Sequence, residues 1–347
     1  MNSTALSRIL GCILGLLLVV SAAAVAEGVE RSTSFSVEGA YYLPDNKGYG
    51  VDDGGFAPIT YTPEKNETYP PDLGRDLGSP WGPAEIQFLL THRIRVPFLA
   101  GSNALTSGNN VTFSFTGAVT PVSTRLETRV NLTPIAFLDF FAGAMIGTGW
   151  DISLFNGMGL NADGSGDPES ASFQGVVTET WVGGTFQFDL AALAPGDWMH
   201  VVTLLSPKLQ YAWFSGAGRG EAWMWEADNG ENFNGFKFYM TYFLGYQMPV
   251  ALDMIGLLVE TEQNLGYVKD LDAGDWGDWG SEYLQITVSP VFSFTLSETS
   301  SLAVLFQFRR ERLYDETSVF YNYFRNRDQV GTYWDFYRIA FSYGLQL

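Results

Sequence analysis

The chain has very few of the residues on which most catalytic and metal sites depend. Its 347 residues include one cysteine, Cys12, and two histidines, His92 and His200. Because Cys12 falls in a leader that we expect to be removed, the mature chain is predicted to hold no disulfide and no thiolate metal site. Neither histidine has a convincing serine and an orienting partner beside it in the pattern. We therefore predict that the protein is not an enzyme and assign no catalytic residues.

The chain also lacks a helical membrane span. Arg8 precedes an apolar run from Ile9 to Val20, and small residues then lead to Ala24-Val25-Ala26. This order is typical of a secretory signal with an A-x-A cleavage site, so we predict a signal peptide over residues 1–26. After it no run of 18 apolar residues follows. No linker separates two halves of different composition, so residues 27–347 are predicted to form one unit.

What the sequence does have is alternation between apolar and polar residues. Aromatic residues make up 15% of the chain and glycines number 38, which suits strands and turns. In residues 337–347 one parity is a continuous apolar stripe, and the other is small or polar. The stripe consists of Tyr337, Ile339, Phe341, Tyr343, Leu345 and Leu347. This tail resembles the closing C-terminal strand of outer-membrane β-barrels, whose apolar face meets lipid.

Similar segments recur along the chain and predict about twelve strands. They lie near residues 33–43, 84–96, 110–119, 122–132, 136–149, 172–190, 197–214, 235–248, 250–262 and 337–347. The tenth strand is marked by Leu284, Ile286, Val288 and Phe292, and the eleventh by Leu302, Val304, Phe306 and Phe308. In the ninth, Ile255, Leu257 and Val259 compete with Met254 and Leu258 for the outer face. The predicted fold is all-β: a transmembrane antiparallel up-and-down β-barrel. Ten or fourteen strands remain alternatives.

The connections alternate in length, and the acidic residues concentrate in the long ones. Long extracellular loops are predicted near 44–83, 150–171, 215–233, 263–280 and 313–331, with short periplasmic turns between them. The chain has 38 acidic and 19 basic residues, a net charge of −19, and most of the acidity falls in these loops. Solvated loops would explain it, and so would loops that bind Ca²⁺. The metal candidates are Asp163, Asp167, Asp270 and Asp272. No other cofactor is expected.

Polar residues on the inward parity are the candidates for setting ion selectivity. The basic ones are Arg93, Arg95, Arg125, Arg129, Arg309 and Arg338, and the acidic ones across from them are Asp139, Glu179 and Glu260. Arginine forks suit carboxylates and phosphates, so this wall could select anionic solutes. The alternative is that these arginines pair with Glu38, Glu85, Glu127 and Glu311 and fill a narrow lumen. Trp150, Trp213 and Trp334 are predicted to belong to an aromatic girdle at the membrane interface.

Nearly the whole mature chain thus resembles bacterial outer-membrane barrels of the porin and small-channel group. The resemblance implies the outer membrane of a diderm bacterium and periplasmic termini. It also implies contact with lipid and a lipopolysaccharide-type surface, and insertion machinery that reads the C-terminal strand. Nucleic acid is not an expected partner, and the oligomeric state is left open. The expected function is passive diffusion of small polar solutes, anions among them. The alternative is a closed structural or adhesion barrel with acidic, Trp-rich binding loops.

Overall fold

The computed structural model describes residues 28–42, 84–152, 157–161, 173, 175–218, 223–225, 232–265, 282–314 and 329–347. The predicted signal peptide lies outside these ranges, as do most of the long connections. Among the described residues, no helix combines the length and the apolar character needed to cross a bilayer.

Twelve long strands form the wall of the molecule. They are β1 (Glu30–Tyr42), β2 (Ala84–Pro97), β3 (Asn110–Val119), β4 (Ser123–Ile135), β5 (Leu138–Gly149), β9 (Val177–Asp189), β10 (His200–Phe214), β12 (Gly235–Gln247), β13 (Leu252–Leu265), β14 (Gln285–Thr295), β15 (Ser300–Tyr314) and β16 (Gln329–Gln346). Four two-residue strands lie in the connections: β6 (Asp151–Ile152), β7 (Gly157–Met158), β8 (Leu160–Asn161) and β11 (Met224–Trp225). A short 3-10 helix, Leu190–Ala192, follows β9.

The twelve long strands close into a single barrel. Each pairs antiparallel with its neighbour, in the order β1-β16-β15-β14-β13-β12-β10-β9-β5-β4-β3-β2. The closing pair joins the first and last strands, from Ser34 with Gln346 to Tyr42 with Arg338. Every wall strand therefore has two partners, and no unpaired edge is exposed to hydrocarbon. The prediction of an all-β antiparallel barrel with twelve strands is confirmed.

The outer face of the barrel is apolar and exposed. Leu126, Leu244 and Val182, on three different strands, are 65%, 58% and 56% exposed. In water such a surface would be costly, whereas in a bilayer it meets hydrocarbon. The neighbours of these residues along each strand point into the barrel and are mostly polar or small. A closed barrel with these two faces is the architecture of outer-membrane β-barrel proteins.

Strand β13 settles the choice that its sequence left open. Ile255 and Leu257 are 40% and 45% exposed on the outer face. Met254 and Leu258 belong to the opposite parity and face the interior, since they pair in register with Gln247 and Phe243 of β12. The apolar inward residues of β13 make its alternation weak in the sequence.

The two ends of the barrel differ. The strands β1 and β16 begin and end at one of them, which we call the terminal end. Most of the connections there are short, as between β4 and β5, β12 and β13, or β14 and β15. At the opposite end, the loop end, the connections are long, apart from the tight turn between β3 and β4.

A bulge in β16 corrects one expectation. The register shifts between Gln307 and Phe308 of β15, so that Arg338 pairs with Gln307 but Phe336 pairs with Phe308. Tyr337 is the extra residue. We expected Tyr337 on the outer stripe, but it lies against Arg309, whose guanidinium carbon is 3.4 Å from the centroid of its ring. One unpaired residue changes the parity of everything before it, and Phe336 takes the outward position.

Candidate functional site

The interior of the barrel brings together the charged residues that the alternation pattern selected. Pairing across β2, β3 and β4 sets Arg93 opposite Ser114 and Ser114 opposite Arg129. The next inward rows toward the loop end contain Glu127 and then Arg125, beside Met145 and Gly147 of β5. The strands β15, β16, β1, β2, β3 and β4 are consecutive in the barrel. The predicted arginine wall is therefore continuous.

At the loop end of this wall, arginines and carboxylates form a bonded network. Arg338 donates from Nη1 to Glu85 Oε1 at 2.7 Å, and its Nε donates to Gln307. Ala40 stands between Arg338's strand and β2, and its small side chain leaves room for the contact. The side chains of Arg338 and Glu85 are 27% and 31% exposed, so the pair is only partly screened by water.

Arg125 joins the same network through an amide. Its Nη2 donates to Gln87 Oε1 at 2.6 Å, and Gln87 Nε2 in turn donates to Glu38 Oε2 at 2.5 Å. A cavity of about 380 Å³ adjoins these groups. Glu260 of β13 lines the same cavity and interacts electrostatically with Arg338. The alternative that the arginines fill a narrow lumen therefore applies to Arg338 and Arg125, because both are hydrogen-bonded to other lumen side chains.

The terminal end of the wall has a different character. A chamber of about 500 Å³ is lined there by three arginines, by Glu127 and Asp139, and by hydroxyl and amide groups. The arginines are Arg93, Arg95 and Arg129. We call this space the terminal chamber.

The three arginines of the terminal chamber differ in whether they have hydrogen-bond or ion-pair partners. Arg95 Nη1 lies 3.2 Å from Glu30 Oε2 at the rim, where the side chains are 46% and 71% exposed. Arg129 donates from Nε to Asn131 Oδ1 at 2.9 Å, and its guanidinium lies 4.2 Å from the centroid of Phe141. Arg93 makes no hydrogen bond or ion pair in the part of the chain that the structure describes.

The remaining predicted lumen residues also lie on the inward face. Asp139 accepts a hydrogen bond from the Thr133 hydroxyl. Glu179 pairs in register with Met145 and Ala212, and it interacts electrostatically with Lys208. Arg309 stacks on Tyr337 at the bulge.

Two lysines belong to the site, and the sequence analysis missed them. Lys237 donates from Nζ to Glu262 Oε1 and to Asn232 Oδ1, both at 2.7 Å, and its side chain is 7% exposed. Lys208 donates to Gln210 Oε1 at 2.8 Å and lies 3.9 Å from the centroid of Tyr239. Strict alternation in β10 and β12 would have selected both, since each is flanked by outward apolar residues.

Apolar side chains fill the other side of the lumen, near the loop end. Inward residues of β5, β9 and β10 meet residues of two connections that fold back into the barrel, and β8 pairs with β11 there. We call this group the inner apolar cluster: Phe141, Met145, Leu160, Val177, Trp181, Ala212, Phe214, Trp223 and Trp225. Leu160 and Trp223 are 0% and 1% exposed. No sequence signal pointed to it, because inward aromatics interrupt the expected polar face.

The girdle candidates take three different positions. Trp334 is 52% exposed on the outer face, next to the bulge. Trp213 is partly buried on the outward parity of β10, where it pairs in register with Thr178. Trp150 packs at the loop end: its Nε1 donates to the carbonyl of Pro121 at 2.8 Å, and its ring stacks on Phe173. The metal candidates Asp163, Asp167, Asp270 and Asp272 lie outside the described residues.

The chain is only distantly similar to known proteins. No family model matches the sequence, and no curated protein is similar enough to count as a relative. The KdgM porin is 9% identical, with 90% of this chain and 99% of that one covered and a TM-score of 0.34. The translocator domain of the autotransporter NalP from Neisseria meningitidis is 7% identical, with 99% of this chain and 97% of that one covered and a TM-score of 0.37. Outer membrane phospholipase A from Escherichia coli is 11% identical, with 91% of this chain and 92% of that one covered and a TM-score of 0.32.

These distant likenesses select no activity, since a porin, a translocator domain and an enzyme are among them. The class of the protein is that of the outer-membrane β-barrels, as its own closed wall and apolar outer face define it.

Proposed function

We propose that the barrel is a channel through which small polar solutes, with anions preferred, cross the outer membrane of a diderm bacterium. The observation that carries this proposal is the position of open space in the lumen. The cavity of about 380 Å³ and the terminal chamber of about 500 Å³ share β2 and β4 as walls and follow one another along the barrel. The inner apolar cluster lies on the β5, β9 and β10 side. The passage is thus eccentric.

The lining of the two cavities supports a preference for anions at one end. Three guanidinium groups face two carboxylates in the terminal chamber. In the loop-end cavity, two guanidinium groups face the carboxylates of Glu38, Glu85 and Glu260. Charges close to a narrow path act on every ion in it, whereas loop charges several screening lengths away, each about 8 Å, act weakly.

The same proposal covers orientation and partners. Outer-membrane barrels of bacteria have short periplasmic turns and long outer loops, so the terminal end would face the periplasm. The apolar band would contact lipid, the long acidic loops a lipopolysaccharide surface with bridging Ca²⁺, and β16 the insertion machinery. Trypsin added to intact cells tests the orientation, because it should cut the long loops and leave a tag after residue 347 intact.

Conductance of the purified protein in planar bilayers tests the channel, and cysteine labelling tests its path. In a background with Cys12 replaced by Ser, Thr116→Cys places a thiol in the terminal chamber. Gly117→Cys, the matched control, places one at the same depth on the outer face. An anionic methanethiosulfonate reagent should reduce the current through Thr116→Cys only, because it adds bulk and negative charge beside the arginines of the chamber. Equal loss in both variants would contradict the eccentric passage.

A closed structural or adhesion barrel is the second candidate, and the inner apolar cluster favours it. Buried Trp223 and Leu160 hold the connections inside the lumen, where they narrow the loop end. Persistent absence of conductance from correctly folded protein would support this function over the channel.

We also propose that the protein is not an enzyme. His92 lies on the outer face, and its Nδ1 is 3.0 Å from the Thr33 hydroxyl. A histidine beside a hydroxyl on the lipid side is the place to look for acyl hydrolysis, so the test is direct. Purified barrel should not hydrolyse phospholipid in mixed micelles, and hydrolysis that Thr33→Val abolishes would overturn this part of the proposal.

A further inference from the structure

We propose that Arg93, Ser114 and Arg129 form a binding subsite for a compact oxyanion, a carboxylate or phosphate group, in the terminal chamber. This inference rests on the proposed channel and deepens it, because it names where a solute would pause and which chemical group would be held. The subsite is a specific place in the lumen rather than a property of the arginine wall as a whole.

The register of three neighbouring strands creates the arrangement. Arg93 of β2 pairs with Ser114 of β3, and Ser114 pairs with Arg129 of β4. Adjacent strands are about 4.8 Å apart, so the Cα atoms of the two arginines are separated by roughly 10 Å. Between them stands a side chain of only two heavy atoms. The row therefore has a gap between two guanidinium groups, with a hydroxyl at its base.

The residues on either side of this row keep the gap open. Arg93 pairs on its other side with Ser32 of β1, and Arg129 pairs with Gly143 of β5. Both flanking residues are small. Gly143 is covered by the ring of Trp181, which closes the row on the apolar side of the lumen. The chamber is thereby walled on one side and open above Ser114.

The two guanidinium groups have donors to spare. Arg93 makes no hydrogen bond or ion pair within the described ranges, and its residue is exposed to the chamber. Arg129 uses Nε for Asn131 and stacks on Phe141, which orients its plane and leaves both terminal nitrogens without a partner among the described residues. Each guanidinium can present a pair of parallel N–H groups, the geometry that matches carboxylate and phosphate oxygens.

Glu127 and Asp139 interact electrostatically with Arg129, but neither forms a hydrogen bond or ion pair with Arg93 or Arg129 in the described part of the chain. Glu127 lies one inward row toward the loop end, and Asp139 accepts from Thr133 at the far side of the chamber. Arg95 is engaged by Glu30 at the rim, and Gly108 accepts from its other terminal nitrogen. Arg93 and Arg129 thus stand on either side of Ser114 as two like charges without a bonded carboxylate among the described residues, and an oxyanion between them would reduce their repulsion.

By contrast, the arginines at the loop end are already satisfied. Arg338 is bonded to Glu85 and Gln307, and Arg125 to Gln87. They serve as internal comparisons, because they carry the same charge on the same wall.

Binding of small anions to the protein in a non-ionic detergent tests the subsite without requiring conduction. The probes are inorganic phosphate, followed by ³¹P line broadening, and ¹³C-labelled acetate, followed by ¹³C line broadening. The wild type should broaden at least one signal, and which one responds identifies a phosphate or a carboxylate group as the preferred ligand. Absence of broadening of both signals would overturn the proposal.

Three variants locate the site. Arg93→Gln should weaken binding roughly tenfold or more, as expected for loss of a charged hydrogen-bond donor. Arg125→Gln, the matched control with the same loss of charge, should retain binding within about twofold. Ser114→Leu keeps every charge but fills the gap, and it should also abolish the broadening. Each variant is first checked for the heat-modifiable migration of the folded barrel.

The outcomes separate the subsite from the channel. Broadening without conductance would leave the subsite intact and sink the channel. Conductance with no broadening, or equal binding by Arg93→Gln, Ser114→Leu and the wild type, would sink the subsite and leave the channel. Loss of binding in Arg125→Gln as large as in Arg93→Gln would show that only the overall charge of the wall matters. That result would also overturn the proposed subsite.

Discussion

At the scale of single residues, the lumen depends on close contacts between aromatic rings and glycines. A Cβ atom built on Gly143 would lie 2.4 Å from Cζ2 of Trp181. The ring therefore occupies the space that any other residue would need. The same contact closes one side of the subsite row, so a single hydrogen at position 143 shapes both the apolar and the polar sides of the lumen.

Gly143→Ala should destabilise the folded barrel by about 1–3 kcal/mol, because the indole must leave its position in a packed interior. The matched control is Gly117→Ala on the outer face, where the nearest atom, Cδ2 of Leu126, would be 3.8 Å away. Urea unfolding in lipid vesicles, followed by tryptophan fluorescence, measures both. Equal midpoints for the two variants would contradict the packing argument.

The paired arginines should matter for stability, and the unpaired one should not. Arg338→Ala removes the bond to Glu85 and leaves a partly buried carboxylate short of a donor. The expected loss is about 1.5–3 kcal/mol. Arg93→Gln has no partner to lose within the described chain and should unfold like the wild type. A gel series over temperature compares their folded fractions, and a midpoint of Arg93→Gln as low as that of Arg338→Ala would count against this division.

At the scale of elements, the bulge in β16 allows both the C-terminal apolar stripe and Trp334 to face outward, although their positions in the sequence have opposite parity. Ile339, Phe341 and Tyr343 are outward, so plain alternation would turn Trp334 into the lumen. Because Tyr337 is unpaired, the parity shifts, and Trp334 is 52% exposed outside. The extra residue also gives Arg309 an aromatic ring at 3.4 Å. The bulge thus places Trp334 on the outer face, as the girdle requires, and Tyr337 beside Arg309 in the lumen.

Deletion of Tyr343–Leu347 should prevent the barrel from closing. It removes the partners of four residues of β1, which run from Ser34 to Val37. Two strands would then carry unpaired backbone groups in hydrocarbon, each costing several kcal/mol. The truncated chain should not reach a protease-resistant, heat-modifiable form in lipid vesicles. A control deletion of residues 318–322 removes no pairing between wall strands and should assemble. Normal assembly of the truncated chain would refute the closing role of this segment.

At the scale of the whole molecule, the lumen is divided lengthwise. The β2–β4 side holds two cavities with charged linings, and the β5–β10 side holds the inner apolar cluster. Buried side chains from two connections pack against the wall at the loop end: Leu160 from one, and Trp223 from the other, whose ring centroid lies 5.6 Å from that of Phe214. These connections therefore occupy part of the lumen at the loop end.

Trp223→Ala should loosen the inward connections, since a buried indole is replaced by a cavity. In bilayers the expected result is a larger mean conductance with more current noise, while the folded barrel persists in detergent gels. Trp213→Ala, on the outer parity of the neighbouring strand, is the control and should leave the current unchanged. Unaltered conductance in Trp223→Ala would show that the cluster does not limit the passage.

The sequence by itself determined the barrel and the two faces of its wall. A period of two is a local property of each strand, and lipid outside demands apolar residues at every second position, so the pattern is legible strand by strand. The inward positions of Arg93, Arg125 and Arg338 follow from the same rule. A count of about twelve strands also follows, with ten or fourteen left open, because long and short connections mostly alternate between them.

Only the tertiary structure decided which of those inward residues have hydrogen-bonded or ion-paired partners. Arg338 meets Glu85 across the seam between the first and last strands, and Arg93 stands between two serines because the register of three strands aligns them. The inner apolar cluster forms where connections fold back, and the bulge at Tyr337 reverses parity without any break in composition. Such contacts join residues far apart in the chain, and their geometry depends on closure and register, which no local alternation specifies.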